Sequence, residues 1–335
     1  MKVIADNAIP FLENRISKDV DFVRLPSKDI NATAVRDADA LIVRTRTKCD
    51  EKLLKDSKVK LIATATIGTD HINTDWCEKN GIKVISAPGC NAPGVAQYVL
   101  AALFETGFDP MSQTLGVIGY GNVGHILVEW AKQLGIKTLI SDDPRKKAGF
   151  KDVEYHPMEF VLSQSDVVTL HVPLTSSGEF PTKYLIGEKE LDLMKPGSTL
   201  VNSSRGGVVN ETALKEKLKR GEVKAILDVW ENEPVIDSEL VDLTEIATPH
   251  IAGYSEEGKK RATKRVLQAL HEFLGIKVNV DNLISELNSA GDKKITSDII
   301  LKSYSPSVDS RRLKADICAF EQLRNSYPYR HEPFV

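Results

Sequence analysis

Residues 114–133 read TLGVIGYGNVGHILVEWAKQ: an apolar run to Ile118, the glycine turn Gly119-Tyr120-Gly121-Asn122-Val123-Gly124, then at once an amphipathic stretch. The order implied is strand, tight turn, helix. Gly119 permits the turn, Gly121 lets a pyrophosphate approach the backbone, and Gly124 allows the helix to pack closely on the strand. The helix amino terminus then offers its free N–H groups to the phosphates. Taken alone, this spacing also describes a glycine-rich structural turn. Here Asp142 closes the next strand, KTLISD, about 20 residues on, where a dinucleotide fold puts its acidic residue. Asp142 can accept hydrogen bonds from ribose hydroxyls and repel a 2′-phosphate, so NAD is favoured over NADP. Asp143 competes for that role, and Arg145, Lys146 and Lys147 could receive a phosphate instead.

Working outward, a βα rhythm runs in both directions. Before the glycine turn, the Val/Ile-rich runs KVIA, ALIVR, LIATAT and KVISA alternate with helix-compatible stretches up to about residue 91, as in a buried parallel sheet. PGVAQYVLAALFET then reads as a buried helix with Pro93 in its first turn. After it come further strands in DVVTLHVP, STLVNSS and KAILDVW, so two α/β units are expected. The stretch 255–275 places Val266, Leu267, Leu270, Phe273 and Leu274 near helical spacing with Gly275 as a stop, and it is placed to return to the first unit. The sixty or so residues that follow are too few for a secure independent domain.

The chain has 335 residues, 41% hydrophobic and 27% charged, which suits a packed fold of about two domains. With 44 Lys+Arg against 47 Asp+Glu, no basic excess points to nucleic acid. Cys49, Cys77, Cys90 and Cys318 form no zinc or CxxC spacing, and no metal is expected. No stretch approaches the ~18 apolar residues of a membrane span, and the amino terminus has no signal-like run, so a cytoplasmic protein is expected.

Three segments follow strands of the second unit. Asn202-Ser203-Ser204-Arg205-Gly206-Gly207 offers an Arg fork for a carboxylate. Trp230-Glu231-Asn232-Glu233-Pro234 places an acid before a proline, and Thr248-Pro249-His250-Ile251-Ala252-Gly253-Tyr254 places a histidine in a turn. Each alone is commonly structural; together, at the ligand-binding edge of one sheet, they suggest acid–base chemistry.

These segments, SSRGGVVN, LDVWENEP and TPHIAGY behind GYGNVG, resemble the D-isomer-specific 2-hydroxyacid dehydrogenases over nearly all of residues 1–275. ADALIVRTRTK, TATIGTDHI, APGCNAPGVAQYV and HIAGYSEEGK, with YSPSVDSRRL and FEQLRNSYPYRHE in the tail, resemble a narrower group within that family. That group acts on a phosphorylated four-carbon 2-hydroxy acid in vitamin B6 synthesis. The resemblance implies that Arg205 holds the carboxylate and the carbon-2 oxygen, that His250 is the acid–base, and that Glu233 partners it. It assigns Gly119, Gly121, Asn122, Val123, Gly124, Asp142, Val172, Ser203, Ser204, Arg205, Asp228 and Gly253 to NAD, with Asp228 on the nicotinamide amide. Thr45, Thr66 and Tyr254 match substrate contacts, Thr45 standing where the group usually has Ser. One of Arg44, Arg46 and Lys48, Arg44 foremost, is the candidate for the phosphate.

The fold expected is α/β: a Rossmann-type doubly wound parallel sheet over 92–255, and a flavodoxin-like substrate domain from 1–91 and 256–276. A small α+β segment over 277–335 is expected to make a homodimer, with Arg311 or Arg312 reaching the partner's site. Other readings are a different D-2-hydroxyacid dehydrogenase, such as one acting on 3-phosphoglycerate, or a non-catalytic NAD(H)-sensing protein such as a corepressor.

Overall fold

In the computed structural model, which describes residues 1–283 and 294–333, the Val/Ile runs become short parallel strands, most of them buried along their length. The first sheet holds β1 (Lys2–Asp6), β2 (Asp21–Leu25), β3 (Ala40–Val43), β4 (Leu61–Thr64) and β5 (Lys83–Ile85) in the order β2-β1-β3-β4-β5. That is the flavodoxin-like order. The second holds β6 (Thr114–Ile118), β7 (Lys137–Ser141), β8 (Val167–Leu170), β9 (Thr199–Asn202), β10 (Lys224–Leu227) and β11 (Ile246–Ala247), ordered β11-β10-β9-β8-β6-β7. A single parallel bridge from Ile140 to Tyr155 adds the rudiment of a further edge strand beside β7. With it, the sheet has the doubly wound order that reverses between β6 and β8.

The chain falls into two compact units, Met1–Asn91 with Ser255–Gly291, and Ala92–Tyr254 with Asp292–Val335. The first owes its second segment to the helix Glu256–Leu274. Ser255 caps its start through Gly258 N at 3.0 Å, and Gly275 ends it at φ 65°. Val266, Leu267 and Leu270 are fully buried against the sheet, each side chain contributing about 1.5–3 kcal/mol by leaving water. Phe273, counted with that apolar face in the sequence, instead stands 46% exposed with Lys83 Nζ over its ring.

In the second unit, the helix Ala92–Glu105 is buried from Ala92 to Leu103, which explains why its sequence lacks a polar face. The tail's described elements include three short α-helices, Ser297–Ser303, Pro306–Ala315 and Phe320–Asn325. Ile300, Tyr304, Leu313 and Phe320 enter the cores of this same unit, so the tail's main apolar positions are covered by its own chain. Leu301 turns outward at 41% exposure, and Ile299, Ile317 and Leu323 are half-buried. Part of the segment expected over 277–335 (284–293 and 334–335) lies outside the described residues. Among the described residues no helix is long and apolar enough to cross a membrane.

Candidate active site

The glycine turn sits where the second sheet's strand order reverses. Gly119 has φ +95°, and a Cβ there would lie 2.5 Å from His171 O and 2.9 Å from Val172 Cγ1, so the turn after β6 lies against the segment after β8 only because residue 119 has no side chain. A Cβ on Gly124 would lie 2.1 Å from Gly119 O, which makes close helix packing depend on that glycine too. Gly121 differs: a Cβ there would meet nothing within 4 Å. The space in front of Gly121 is open, as an approaching phosphate requires, and it faces the start of the helix Asn122–Gln133 that includes Val123.

Asp142 follows β7 and reaches back to the turn. Its Oδ2 accepts from Tyr120 N at 2.8 Å and its Oδ1 from Arg145 N at 2.9 Å. The carboxylate is thus fixed beside the glycines with lone pairs to spare for ribose hydroxyls. Asp143 is exposed and opens the helix Asp143–Lys147. Arg145 is bound to Asp152 and Tyr155 and stacked on Phe150, while Lys147 pairs with Glu179, so two of the three cations that could favour NADP are engaged. Ser203 Oγ is buried and makes no hydrogen bond, an unspent polar atom beside Ser204, which is tied to Asn202 Oδ1. An open glycine, a fixed acid and an orphan hydroxyl at one sheet edge fit a dinucleotide.

The second cluster lies past β9, β10 and β11, three neighbouring strands. Arg205 follows β9, its Nη1 donating to Ser204 O at 2.8 Å. Gly206, beside it, has no room for a Cβ, which would fall 1.9 Å from Trp230 O, so the Arg205 loop packs directly on the segment after β10. There Trp230 N donates to Glu233 Oε1 at 3.1 Å. Glu233 in turn meets His250 Nδ1 at 2.8 Å through Oε2 and 3.1 Å through Oε1. A carboxylate accepts, so Nδ1 carries the proton and Nε2 is left as the base. Burial works to raise the Glu233 carboxyl, but the His250 hydrogen bond and the charges of His250 and Arg324 outweigh it and hold the acid below the ordinary carboxylate range.

His250 itself adopts φ +58°, a left-handed conformation costly for a non-glycine residue. Its turn is held from below by Asp228, which accepts from Thr248 Oγ1 at 2.6 Å, Ile251 N at 2.8 Å and Ala252 N at 2.9 Å. Burial pushes the Asp228 carboxyl up. Its clearest work in the structure is to fix this turn, a role the sequence reading did not assign. Gly253 and Tyr254 complete the turn, with Tyr254 N donating to Ile251 O.

The first unit carries the remaining candidates. Thr45 and Thr66 follow the adjacent strands β3 and β4 at the same edge of their sheet. Thr45 is exposed; Thr66 Oγ1 shares a 2.6 Å hydrogen bond with Thr64 Oγ1 and donates to Gly68 O. Arg44 donates to Ala8 O at 3.1 Å, bridging the ends of β1 and β3 where this sheet's order reverses. In the tail, Arg311 reaches Ser307 and Arg312 reaches Asp309 on their own helix. Among the described tail residues, Arg324 meets the acid–base pair, with Nη1 3.4 Å from Glu233 Oε2 and Nε 3.3 Å from Tyr254 OH. Sequence reasoning singled out its segment, FEQLRNSYPYRHE, but nothing in the spacing distinguished Arg324.

Residues 100–252 match the NAD binding domain of the D-isomer specific 2-hydroxyacid dehydrogenases. The fold is of that class. The chain is 42% identical to the erythronate-4-phosphate dehydrogenase of Bacteroides fragilis, over 99% of this chain and 97% of that protein. It is 41% identical to the erythronate-4-phosphate dehydrogenase of Pseudomonas putida, over 99% and 93%. The D-lactate dehydrogenase of Aquifex aeolicus, solved with NAD and lactic acid, superposes with a TM-score of 0.67 at 26% identity, covering 82% of this chain and 96% of that one. The chain belongs to the D-isomer-specific 2-hydroxyacid dehydrogenases, within the group of erythronate-4-phosphate dehydrogenases.

Proposed function

We propose that the protein oxidises 4-phospho-D-erythronate to 2-oxo-3-hydroxy-4-phosphobutanoate with NAD, a step toward pyridoxal 5′-phosphate. The observation that carries this reading is the His250–Glu233 pair at 2.8 Å, in one sheet edge with Arg205 and the glycine turn. Arg205 forks the substrate carboxylate and steadies negative charge on the carbon-2 oxygen. His250 Nε2 takes the hydroxyl proton as carbon 2 loses its hydrogen with the bonding electron pair and the C=O bond forms. Glu233 keeps the ring in the required tautomer and stabilises the imidazolium that results. When bound, NAD⁺ would supply the acceptor for the departing hydrogen and its electrons; Gly119, Gly121, Asn122, Val123, Gly124 and Asp142, with Val172, Ser203, Ser204, Asp228 and Gly253, are the residues that would hold it.

The second unit is on this reading the NAD-binding domain and the first the substrate domain. Thr45, Thr66 and Tyr254 are the substrate-contact residues on this reading, and one of Arg44, Arg46 and Lys48, Arg44 foremost, meets the phosphate. We further infer a cytoplasmic homodimer. The support for dimerisation is the tail's likeness to that of the narrower group, together with its exposed Leu301, Val308 and Tyr329.

The test is a panel of phosphorylated and unphosphorylated 2-hydroxy acids with NAD, read by NADH absorbance and by fluorescence of enzyme-bound NADH. Turnover should be greatest with 4-phospho-D-erythronate, and His250→Ala should lower it by a factor on the order of 10² or more. NAD binding without turnover of any acid would assign the chain to a sensing role instead. A monomer by light scattering at micromolar concentration would reject the dimer.

A further inference from the structure

Arg330, near the carboxyl end, is buried, and all five of its N–H groups are aimed at carbonyl oxygens. Nε donates to Gln97 Oε1 at 2.9 Å; Nη1 donates to Ile251 O at 3.1 Å and Tyr254 O at 3.4 Å; Nη2 donates to Gly94 O at 2.9 Å and to Ala252 O. The guanidinium also lies on the Tyr304 ring, 4.1 Å from its centroid. Three of the five acceptors belong to the turn that follows His250. The N–H groups of Ile251 and Ala252 are already taken by Asp228. The two residues after His250 are therefore gripped from both sides, their N–H groups by an acid and their carbonyls by an arginine, and the peptide joining Ile251 to Ala252 is held at both ends. A left-handed non-glycine residue persists only where its surroundings over-determine it, and this double grip adjoins His250, whose own N–H is bound to Asp228 O at 2.8 Å.

The same tail supplies Arg324 to Glu233 and to Tyr254 OH. The aligned D-lactate dehydrogenase is covered almost whole yet accounts for 82% of this chain, so the present chain has substantial sequence beyond that shared fold.

We propose that the carboxyl-terminal segment is a working part of the active site of its own subunit, in which Arg330 is the positioning residue for the His250 turn and Arg324 the positioning residue for Glu233 and Tyr254. The proposal rests on the dehydrogenase reading above for its kinetic consequences, but the grip on the turn is independent of it. Anchoring the tail alone would require no particular acceptor, whereas here most of the donors go to the turn that carries the base.

The experiment compares full-length protein with His250→Ala, Arg330→Met, Arg330→Lys and Arg324→Gln, measuring kcat, KM, NADH affinity, thermal melting and amide hydrogen exchange. Arg330→Met should lower kcat about 10²-fold, the effect expected of a displacement near 1 Å at a catalytic group, with NADH affinity within about threefold of the parent. Arg330→Lys keeps the charge with three donors and should recover roughly tenfold of that loss. Arg324→Gln should lower kcat through Glu233 and raise KM through Tyr254; in a Tyr254→Phe background its effect on KM should vanish. Exchange of the Ile251 and Ala252 amides should speed up about tenfold or more in Arg330→Met.

Folded Arg330→Met with parental kcat overturns the proposal. So does a loss of kcat, NADH binding and melting temperature in step, which is what a purely structural arginine would give. If Arg330→Met aggregates, Arg330→Lys decides: a folded protein with parental kcat overturns it. Absence of turnover in the parent, or full activity in His250→Ala, refutes the dehydrogenase reading instead. The exchange measurement then decides the grip, and unchanged protection at residues 251 and 252 overturns it.

Discussion

Replacing Gly121 by Ala separates the needs of the fold from those of the cofactor. Gly121 has φ −82°, open to any L-residue, and a Cβ there meets no atom within 4 Å. The apo protein should therefore keep its stability to within about 1 kcal/mol, the small loss of an alanine at a helix cap being set against the lower entropy of the unfolded chain. A bound pyrophosphate would meet the new methyl. If one or two charge-assisted hydrogen bonds to the helix start are lost, at about 1.5–3 kcal/mol each, NAD affinity falls roughly 10- to 100-fold or more. At an NAD concentration 100 times the parental Kd, the parent gains about 2.7 kcal/mol, while a variant weakened 100-fold keeps about 0.4 kcal/mol. Calorimetric melting with and without NAD reads both quantities. Gly119→Ala and Gly124→Ala are the controls, since their Cβ atoms would fall 2.5 Å from His171 O and 2.1 Å from Gly119 O, so they should melt early even without ligand. A Gly121→Ala protein with a parental ligand-induced shift would refute the placement of the pyrophosphate at this turn.

Glu233→Gln should reduce kcat by a factor on the order of 10² or more, because an amide oxygen supports His250 less firmly than a carboxylate does; parental kcat would remove Glu233 from the mechanism. A carboxyl held low in the folded state stabilises the protein above its ordinary value of 4.5 and loses that contribution as pH falls through the lowered folded value. The same variant should therefore flatten the acid-side fall in melting temperature, and an unchanged acid limb would contradict the cited cause. Asp142→Ala should narrow the preference for NAD over NADP and cost about 0.5–2 kcal/mol of stability, since this carboxylate also caps a helix at Arg145 N; an unchanged ratio of efficiencies would point to Asp143. Arg44→Ala should harm 4-phospho-D-erythronate far more than erythronate, and equal losses on the two would take Arg44 out of phosphate recognition.

What the sequence discloses here follows from how local each signal is. The glycine turn, Asp142 and the Val/Ile runs are short patterns whose physical demands lie within a few residues, and they lead directly to two parallel α/β sheets. The His250–Glu233 pairing came with the family resemblance; the residues by themselves place both just past strands of one sheet, where topology brings ligand groups together. Asp228 was singled out for a ligand, yet most of its acceptor capacity goes to Thr248, Ile251 and Ala252, a use that depends on where the chain turns after β11. The tail arginines lie further still from any local rule. Arg311 and Arg312, expected at a partner's site, touch Ser307 and Asp309 of their own helix within the single chain. Arg324 and Arg330 stand in a stretch with no period or spacing of its own, and the hydrogen-bond acceptors described above lie 70 or more residues away. For Arg330 those partners are mostly backbone carbonyls, which every residue possesses, so no pattern of side chains can announce them. An arginine that serves the backbone of a catalytic turn becomes visible only when the turn and the tail are seen folded together.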